Sequence, residues 1–270
     1  MSDDDNDLQK ALAPRPGEAI DPIELARRDL KKHLPRRFWK QTGVDETDGR
    51  FALTLDGRRA RTPGKNALAV PTRALADVLV AEWDGVGEFI DPGVMPLTRI
   101  VNSALDGVAG EMAATLDDLA KYAGSDFLVY RAGDPASLVA EQAAAWDPVL
   151  DWARERYGVR FVLSEGVMFV TQPEASLAAV RRAVEVVVGP DADDAAALRL
   201  AGLHVITTLT GSPLLALAVA EGFLDAPAAW KAAHVDEDFQ IRAWGQDEEA
   251  TVRRERRWRE MEAAARVLGR

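Results

Sequence analysis

The first part of the chain alternates hydrophobic and polar residues with a period of two, a pattern that predicts β-strands. The clearest case is Phe51–Leu55. It is followed by Asp56-Gly57, a pair typical of a type I′ hairpin turn, because both central residues of that turn need a positive φ. Residues 58–61 should form the returning strand, and further short strands are predicted at 37–40 and 67–70.

After Pro71 the hydrophobic period changes to that of α-helices. Thr72 is expected to cap the first helix, and Pro96 opens the second. Further helices are predicted at 110–123, 136–156, 174–187, 194–209, 213–222, 226–244 and 247–267, with short extended pieces at 127–130 and 161–163. Strands followed by helices indicate an α+β fold, in which a small N-terminal β-rich domain precedes a larger, mainly α-helical domain.

The domain bounds follow from composition and from one break. Residues 1–30 begin with a run of aspartates and are expected to be disordered. Residues 31–90 should form the β-rich N-terminal domain with one helix, and residues 91–270 the α-helical C-terminal domain. The boundary is placed at Asp91-Pro92-Gly93, where the periodicity is interrupted.

The stretch from Leu200 to Ala220 contains no formally charged residue and is long enough to cross a bilayer. Its centre, however, is the break Gly211-Ser212-Pro213. Ser212 is a good N-cap and Pro213 suits the first helical position, so two buried helices are the better interpretation. We therefore expect no membrane insertion.

The composition of the chain argues against several classes of partner and site. A formal net charge of −11 over 270 residues argues against nucleic acid or anionic lipid as a partner. The absence of cysteine excludes disulfides and thiolate chemistry, and three histidines far apart in sequence leave little for a metal centre. The segment Thr251–Arg270 carries seven arginines and three glutamates, which is typical of a solvated helix with ion pairs. We expect no metal and no cofactor.

No catalytic motif is complete. The glycines around Gly57 and Gly64 have the wrong spacing for a phosphate-binding loop, and Gly-x-Ser-x-Gly does not occur. His234 and Glu237 have a spacing suited to two metal ligands, but no second histidine–carboxylate pair accompanies them. Carboxylates are too numerous to single out an acid–base couple.

One predicted helix, from Pro227 to Trp244, places a carboxylate in the middle of an aromatic stripe. On a period of 3.6 residues, Glu237 shares a face with Trp230 and Trp244, seven residues away on either side. In one interpretation Glu237 pairs with an arginine inside the fold. In the other, an unpaired carboxylate beside tryptophans awaits a donor on another protein.

Several short blocks along the chain, taken together, are informative. They are Arg37–Lys40, Leu55–Arg58, Arg61–Lys65, Ala81–Asp84, Met95–Thr98 with Asn102 and Asp106, Trp146–Pro148, Gly211-Ser212, Asp236–Gln240 and Trp244-Gly245. In this order they resemble the family of assembly chaperones for the alpha subunit of the ATP synthase F(1) sector, and the similarity runs from about residue 36 to residue 250.

The resemblance implies a chaperone that is not an enzyme and needs no cofactor. Its partner would be the unassembled alpha subunit, which it protects from aggregation and releases during assembly. It also implies that Glu237 is functionally sensitive, with Asp236, Gln240 and Trp244 as further partner-binding candidates. The aromatic stripe adds Trp230 to these candidates. We expect a monomer and, since no basic presequence is visible, a bacterial, cytoplasmic member of the family.

Two alternatives from other classes remain open. A carboxylate-dependent hydrolase would show a closed pocket with two carboxylates, one of them with a raised pKa. A chaperone would instead show an open apolar surface around Trp230 and Trp244. A structural subunit of a stable complex would co-purify with partners that do not exchange.

Overall fold

The computed structural model describes residues 34–166 and 168–270, so the segment expected to be disordered, 1–30, lies outside the described residues. By their contacts the described residues divide into two compact units. One consists of 34–38 with Val86–Asp91, held by backbone hydrogen bonds from Arg37 N to the Glu88 carbonyl and from Ile90 N to the Pro35 carbonyl. The other consists of Trp39–Gly85 with Pro92–Arg270.

The larger unit begins with a small antiparallel sheet. Its strands are β1 Thr42–Thr47, β2 Arg50–Leu55, β3 Arg58–Arg59 and β4 Ala69–Val70. The central strand β2 pairs with each of the other three. The strand predicted at the alternating segment and the turn after it are confirmed, since Asp56 has a φ of 48° and Gly57 a φ of 77°.

The strand predicted at 37–40 is wrong. Backbone amides of Lys40 and Gln41 instead donate to the carboxylate of Asp56, 2.9–3.0 Å away. The first strand is β1, which pairs with β2 through a second two-residue turn at Asp48-Gly49. Its sequence is mostly polar and its side chains are half-buried or exposed, so periodicity gave no signal for it.

The helices follow the predicted pattern closely. Their bounds are α1 Arg73–Asp84, α2 Pro96–Asp106, α3 Met112–Ala123, α4 Ala136–Tyr157, α5 Glu174–Val188, α6 Asp194–Thr210, α7 Pro213–Ala220, α8 Ala226–Ala233, α9 Val235–Trp244 and α10 Glu248–Val267. Short 3₁₀ turns at Pro92–Val94, Val108–Gly110 and Phe127–Val129 connect them, and β5 Tyr130–Arg131 pairs in parallel with β6 Ser164–Glu165. The mainly helical remainder after a small strand region confirms the α+β fold.

Helix α6 forms the centre of the helical part. It packs against α2, α3, α5, α7 and α10, and its apolar residues Leu198, Leu200, Leu203 and Ile206 are fully buried. The uncharged stretch is two helices, as predicted: Gly211 has a φ of 70°, and the Ser212 hydroxyl accepts a hydrogen bond from Leu215 N at the start of α7. Within the described ranges, no helix is both long and apolar enough to span a membrane.

Two carboxylates, Glu82 and Asp106, accept hydrogen bonds from a helix end and a turn that are distant from them in sequence. Glu82 of α1 accepts from the backbone amides of Leu97 and Thr98, each at 2.8 Å, which caps α2, whose own N-cap residue makes no side-chain cap bond. Asp106 at the end of α2 accepts from Thr62 Oγ1, Gly64 N and Asn66 Nδ2 in the turn before β4. Glu82 and Asp106, which both belong to the blocks of the family resemblance, therefore stabilise the fold.

Candidate partner-binding site

The helix predicted at 226–244 is two helices, α8 and α9, separated at His234. The backbone there leaves the helical conformation, with φ −117° and ψ 20°, and His234 Nδ1 lies 2.7 Å from the carbonyl oxygen of Trp230. The sequence contains no glycine or proline at this position to signal a break. The single continuous stripe predicted for this segment is therefore wrong.

The two tryptophans of that stripe have different environments. Trp230 is buried, with its ring centroid 4.0 Å from the His234 ring and 5.6 Å from the Trp258 ring of α10. Trp244, at the end of α9, is 81% exposed. The open apolar surface expected around both residues is thus present at Trp244, whereas Trp230 belongs to the interior.

Two carboxylates in the first turn of α9 are tied to neighbouring helices. Asp236 Oδ1 accepts from Gln142 Nε2 of α4 at 2.7 Å, and Gln142 Oε1 accepts from Ala132 N at 2.8 Å. Asp238 forms an ion pair with Arg254 of α10. Asp236, predicted as a partner-binding residue, therefore also holds α9 against α4.

Glu237 lies between these two and differs from both. Its side chain is 41% exposed, and the imidazole nitrogen His234 Nε2 lies 3.7 Å from Glu237 Oε2. That distance is beyond a hydrogen bond. Within the described part of the chain, Glu237 is thus the carboxylate of this block that is left to accept a hydrogen bond from another molecule.

Glu237 and Trp244 meet at a cleft of about 290 Å³ between α9 and the start of α10. The α9 side contributes Gln240, which is exposed, and Ile241, which is half-buried. The α10 side contributes the turn at Asp247, together with Ala250, Thr251 and Arg254. An exposed indole, an aliphatic side chain and an accepting carboxylate make this a surface suited to binding a protein partner.

Four of the five predicted site residues lie on α9, and the structure brings Glu237, Gln240 and Trp244 to one cleft. The α10 residues were missed, because a segment with seven arginines between residues 251 and 270 does not indicate which arginine faces α9. Arg254 is the one that contacts Asp238. Only the packing of α10 reveals it.

The carboxylate with the raised pKa is in the interior. Burial raises the pKa of Asp126 to about 6, against hydrogen bonds from Leu128 N, Ser212 Oγ and Leu214 N that lower it. The side chain is 0% exposed, so no substrate reaches it. Among residues 34–166 and 168–270, no group of three or more metal-ligating side chains comes together, and His234 and Glu237 have no further partners of that kind.

Comparison with known proteins identifies relatives along most of the chain. The family model of the ATP12 chaperone protein matches residues 36–154. The crystal structure of Atp12 from Paracoccus denitrificans is 40% identical, with a TM-score of 0.75, over 87% of this chain and 97% of that one. The structure of Atu1473, a candidate chaperone from Agrobacterium tumefaciens, is 46% identical, with a TM-score of 0.81, over 98% and 94% of the two chains.

A more distant relative is the mitochondrial protein atp12 of Schizosaccharomyces pombe. It is 21% identical over 229 residues, which are 80% of this chain and 75% of the yeast protein. The two bacterial structures and the mitochondrial protein are thus similar to this chain over most of its length, in agreement with the resemblance seen in the motif blocks.

Proposed function

The chain belongs to the ATP12 chaperone family, and we propose that its client is the unassembled alpha subunit of F(1)-ATPase. It would cover apolar surface of the free subunit, prevent aggregation and release the subunit during assembly of the ATP synthase head. Surface that is later buried between subunits is an aggregation hazard while it is exposed. We further propose that the chain acts as a cytoplasmic monomer and catalyses no reaction.

The observation that supports this proposal most is the contrast within the first turn of α9. Asp236 and Asp238 are held by Gln142 and Arg254, whereas Glu237 makes no hydrogen bond among the described residues and borders an exposed tryptophan. A polar contact set beside an aromatic one suits a temporary partner, because it adds specificity without a wholly apolar surface. Glu237, Gln240 and Trp244 are therefore the proposed client contacts.

The proposal is tested by co-expressing the chain with the alpha subunit and measuring how much subunit stays soluble and is recovered in complex. Glu237→Lys should abolish capture while changing the melting temperature little, since Glu237 contributes few contacts within the fold. Glu155→Lys is the matched control, because Glu155 is an exposed glutamate on a different helix, α4. A variant that unfolds instead would assign Glu237 to the structure rather than to the client.

Release separates a chaperone from a stable structural subunit. After capture, addition of the beta subunit should displace the chain from the alpha subunit. A complex that persists in the presence of the beta subunit would favour the structural-subunit alternative. The hydrolase alternative has no support from the described residues, because the carboxyl group with a raised pKa, Asp126, is inaccessible.

A further inference from the structure

His234 lies directly beneath Glu237, and its hydrogen bonding fixes which ring nitrogen carries a proton. Nδ1 lies 2.7 Å from the carbonyl oxygen of Trp230. A carbonyl oxygen can only accept, so Nδ1 must donate, and in the neutral ring Nε2 is left without a hydrogen.

The bare nitrogen faces the carboxylate. Nε2 lies 3.7 Å from Glu237 Oε2, and both atoms offer only lone pairs while the ring is neutral. A hydrogen bond between them is impossible in that state. The neutral histidine thus explains how a carboxylate next to a buried imidazole stays free.

From this geometry we propose that His234 is a positioning residue that controls whether Glu237 is available to the client. The neutral imidazole leaves the carboxylate free, whereas the imidazolium donates Nε2–H to it and withdraws it from the client. This inference rests on the proposed function, since it concerns the carboxylate assigned to client binding.

The surroundings of His234 favour the neutral form near neutral pH. The side chain is buried, and burial lowers the pKa of His234 below its usual value of 6.5. The charged groups that face it are Glu237 on α9 and Arg254 and Arg257 on α10; the two arginines lower its pKa further, while the bond to Trp230 and the charge of Glu237 oppose them. Client affinity should therefore be highest near neutral pH and fall as acid protonates the ring.

Two substitutions separate the roles of the ring nitrogens. His234→Asn retains a donor near the position of Nδ1 and places nothing at Nε2, so it should capture the alpha subunit at all pH values without the acid loss. His234→Gln places an amide near Nε2, which can donate to Glu237 permanently, so it should capture weakly even near neutral pH.

The test measures the affinity of the whole chain for the alpha subunit between about pH 7.5 and about pH 5.5. The wild type should lose affinity relative to His234→Asn toward pH 5.5, by less than about tenfold, because the charge-assisted hydrogen bond forms only in the fraction of chains whose ring is protonated. Circular dichroism at each pH confirms that both proteins stay folded, and the paired comparison removes titration of the client itself.

The possible outcomes separate a failure of the role proposed for His234 from a failure of the proposed chaperone function. Equal pH profiles for the wild type and His234→Asn would overturn the role of His234 while leaving alpha-subunit capture intact. Detection of an Nε2–H tautomer by nitrogen NMR near neutral pH would overturn it as well. Absence of capture by the wild type at every pH would instead remove the proposed function, and the inference with it.

Discussion

At the scale of single residues, the acidic side chains of this protein do three different things. Asp106, Glu82 and Asp236 accept hydrogen bonds that join segments distant in sequence. Asp126 is buried inside the helical part, and Glu237 remains exposed beside a cleft. The chemical type of the residue is the same in each case, and its environment decides its role.

Truncation of the two tryptophans of the predicted stripe should affect different properties, capture of the client for Trp244 and stability of the fold for Trp230. Trp244→Ala should weaken alpha-subunit capture with little change in the free energy of unfolding, because its side chain is 81% exposed. Trp230→Ala should cost about 3–5 kcal/mol of stability, because it empties a site packed against His234 and Trp258. Urea unfolding and a pull-down on both variants check this, and a stable, inactive Trp230→Ala would contradict it.

Asp126 predicts a pH dependence of stability. Its folded-state pKa is raised from 3.8 to about 6, so the folded protein binds this proton more tightly than the unfolded chain. The free energy of unfolding should therefore fall as pH rises from about 4 to about 6, by about 3 kcal/mol for this group.

Asp126→Asn isolates that contribution. The amide cannot ionise, so this part of the pH dependence should disappear, although one backbone donor at Leu128 or Leu214 loses its acceptor at a cost of about 1–3 kcal/mol. Urea unfolding of both proteins between pH 4 and pH 7 is the measurement. Parallel curves for the two proteins would show that Asp126 does not carry the effect.

At the scale of elements, helix ends are satisfied by side chains from elsewhere in the fold. The N-terminus of α2 depends on Glu82 of α1, and Trp83 Nε1 donates to Thr98 Oγ1 in the same first turn, at 2.8 Å. The start of α7 is satisfied by Ser212 and by Asp126. Each of these contacts joins one particular pair of elements. Together they help to determine which elements lie next to each other.

Glu82→Ala should expose the importance of the α1–α2 contact. It leaves the amides of Leu97 and Thr98 without their acceptor, and we expect a loss of about 1–3 kcal/mol in the free energy of unfolding. Glu111→Ala is the matched control, because Glu111 precedes α3 without a side-chain cap bond. Equal stability losses in the two variants would contradict the capping role of Glu82.

At the scale of the whole molecule, the sheet and the helices of the larger unit are joined by side-chain contacts. Arg50 of β2 forms an ion pair with Asp194 of α6, and Asp106 of α2 binds the turn at Thr62 and Gly64. A Cβ at Gly64 would lie 2.5 Å from Asp106 Oδ1, so any other residue there would force the Asp106 carboxylate to shift from its present position. These contacts do not test the domain boundary predicted near residue 90, which stays a prediction.

These contacts predict that the sheet and the central helix unfold together. Backbone amides of β2 and of α6 should exchange with solvent through openings of similar free energy. Asp106→Ala should lower the protection of both, because it releases the contact between turn and helix. Hydrogen exchange on the full chain measures this, and a loss confined to β2 would show that the strand region opens separately.

The sequence alone determined the larger features of this protein. Hydrophobic periodicity located most helices within two residues of their ends, because most of them have a capping residue or a proline at their start. The motif blocks in their order identified the family. The short polar strand β1 escaped detection, because half-exposed positions produce no clear alternation.

Tertiary structure alone decided which residues of the site can meet a partner. The break at His234 has no sequence signal, and it separates buried Trp230 from exposed Trp244. Likewise, Asp236, Glu237 and Asp238 are equivalent as acids in the sequence, and only the positions of Gln142 and Arg254 on other helices distinguish them. Local patterns determine elements, whereas the partners of a side chain depend on segments that are distant along the chain.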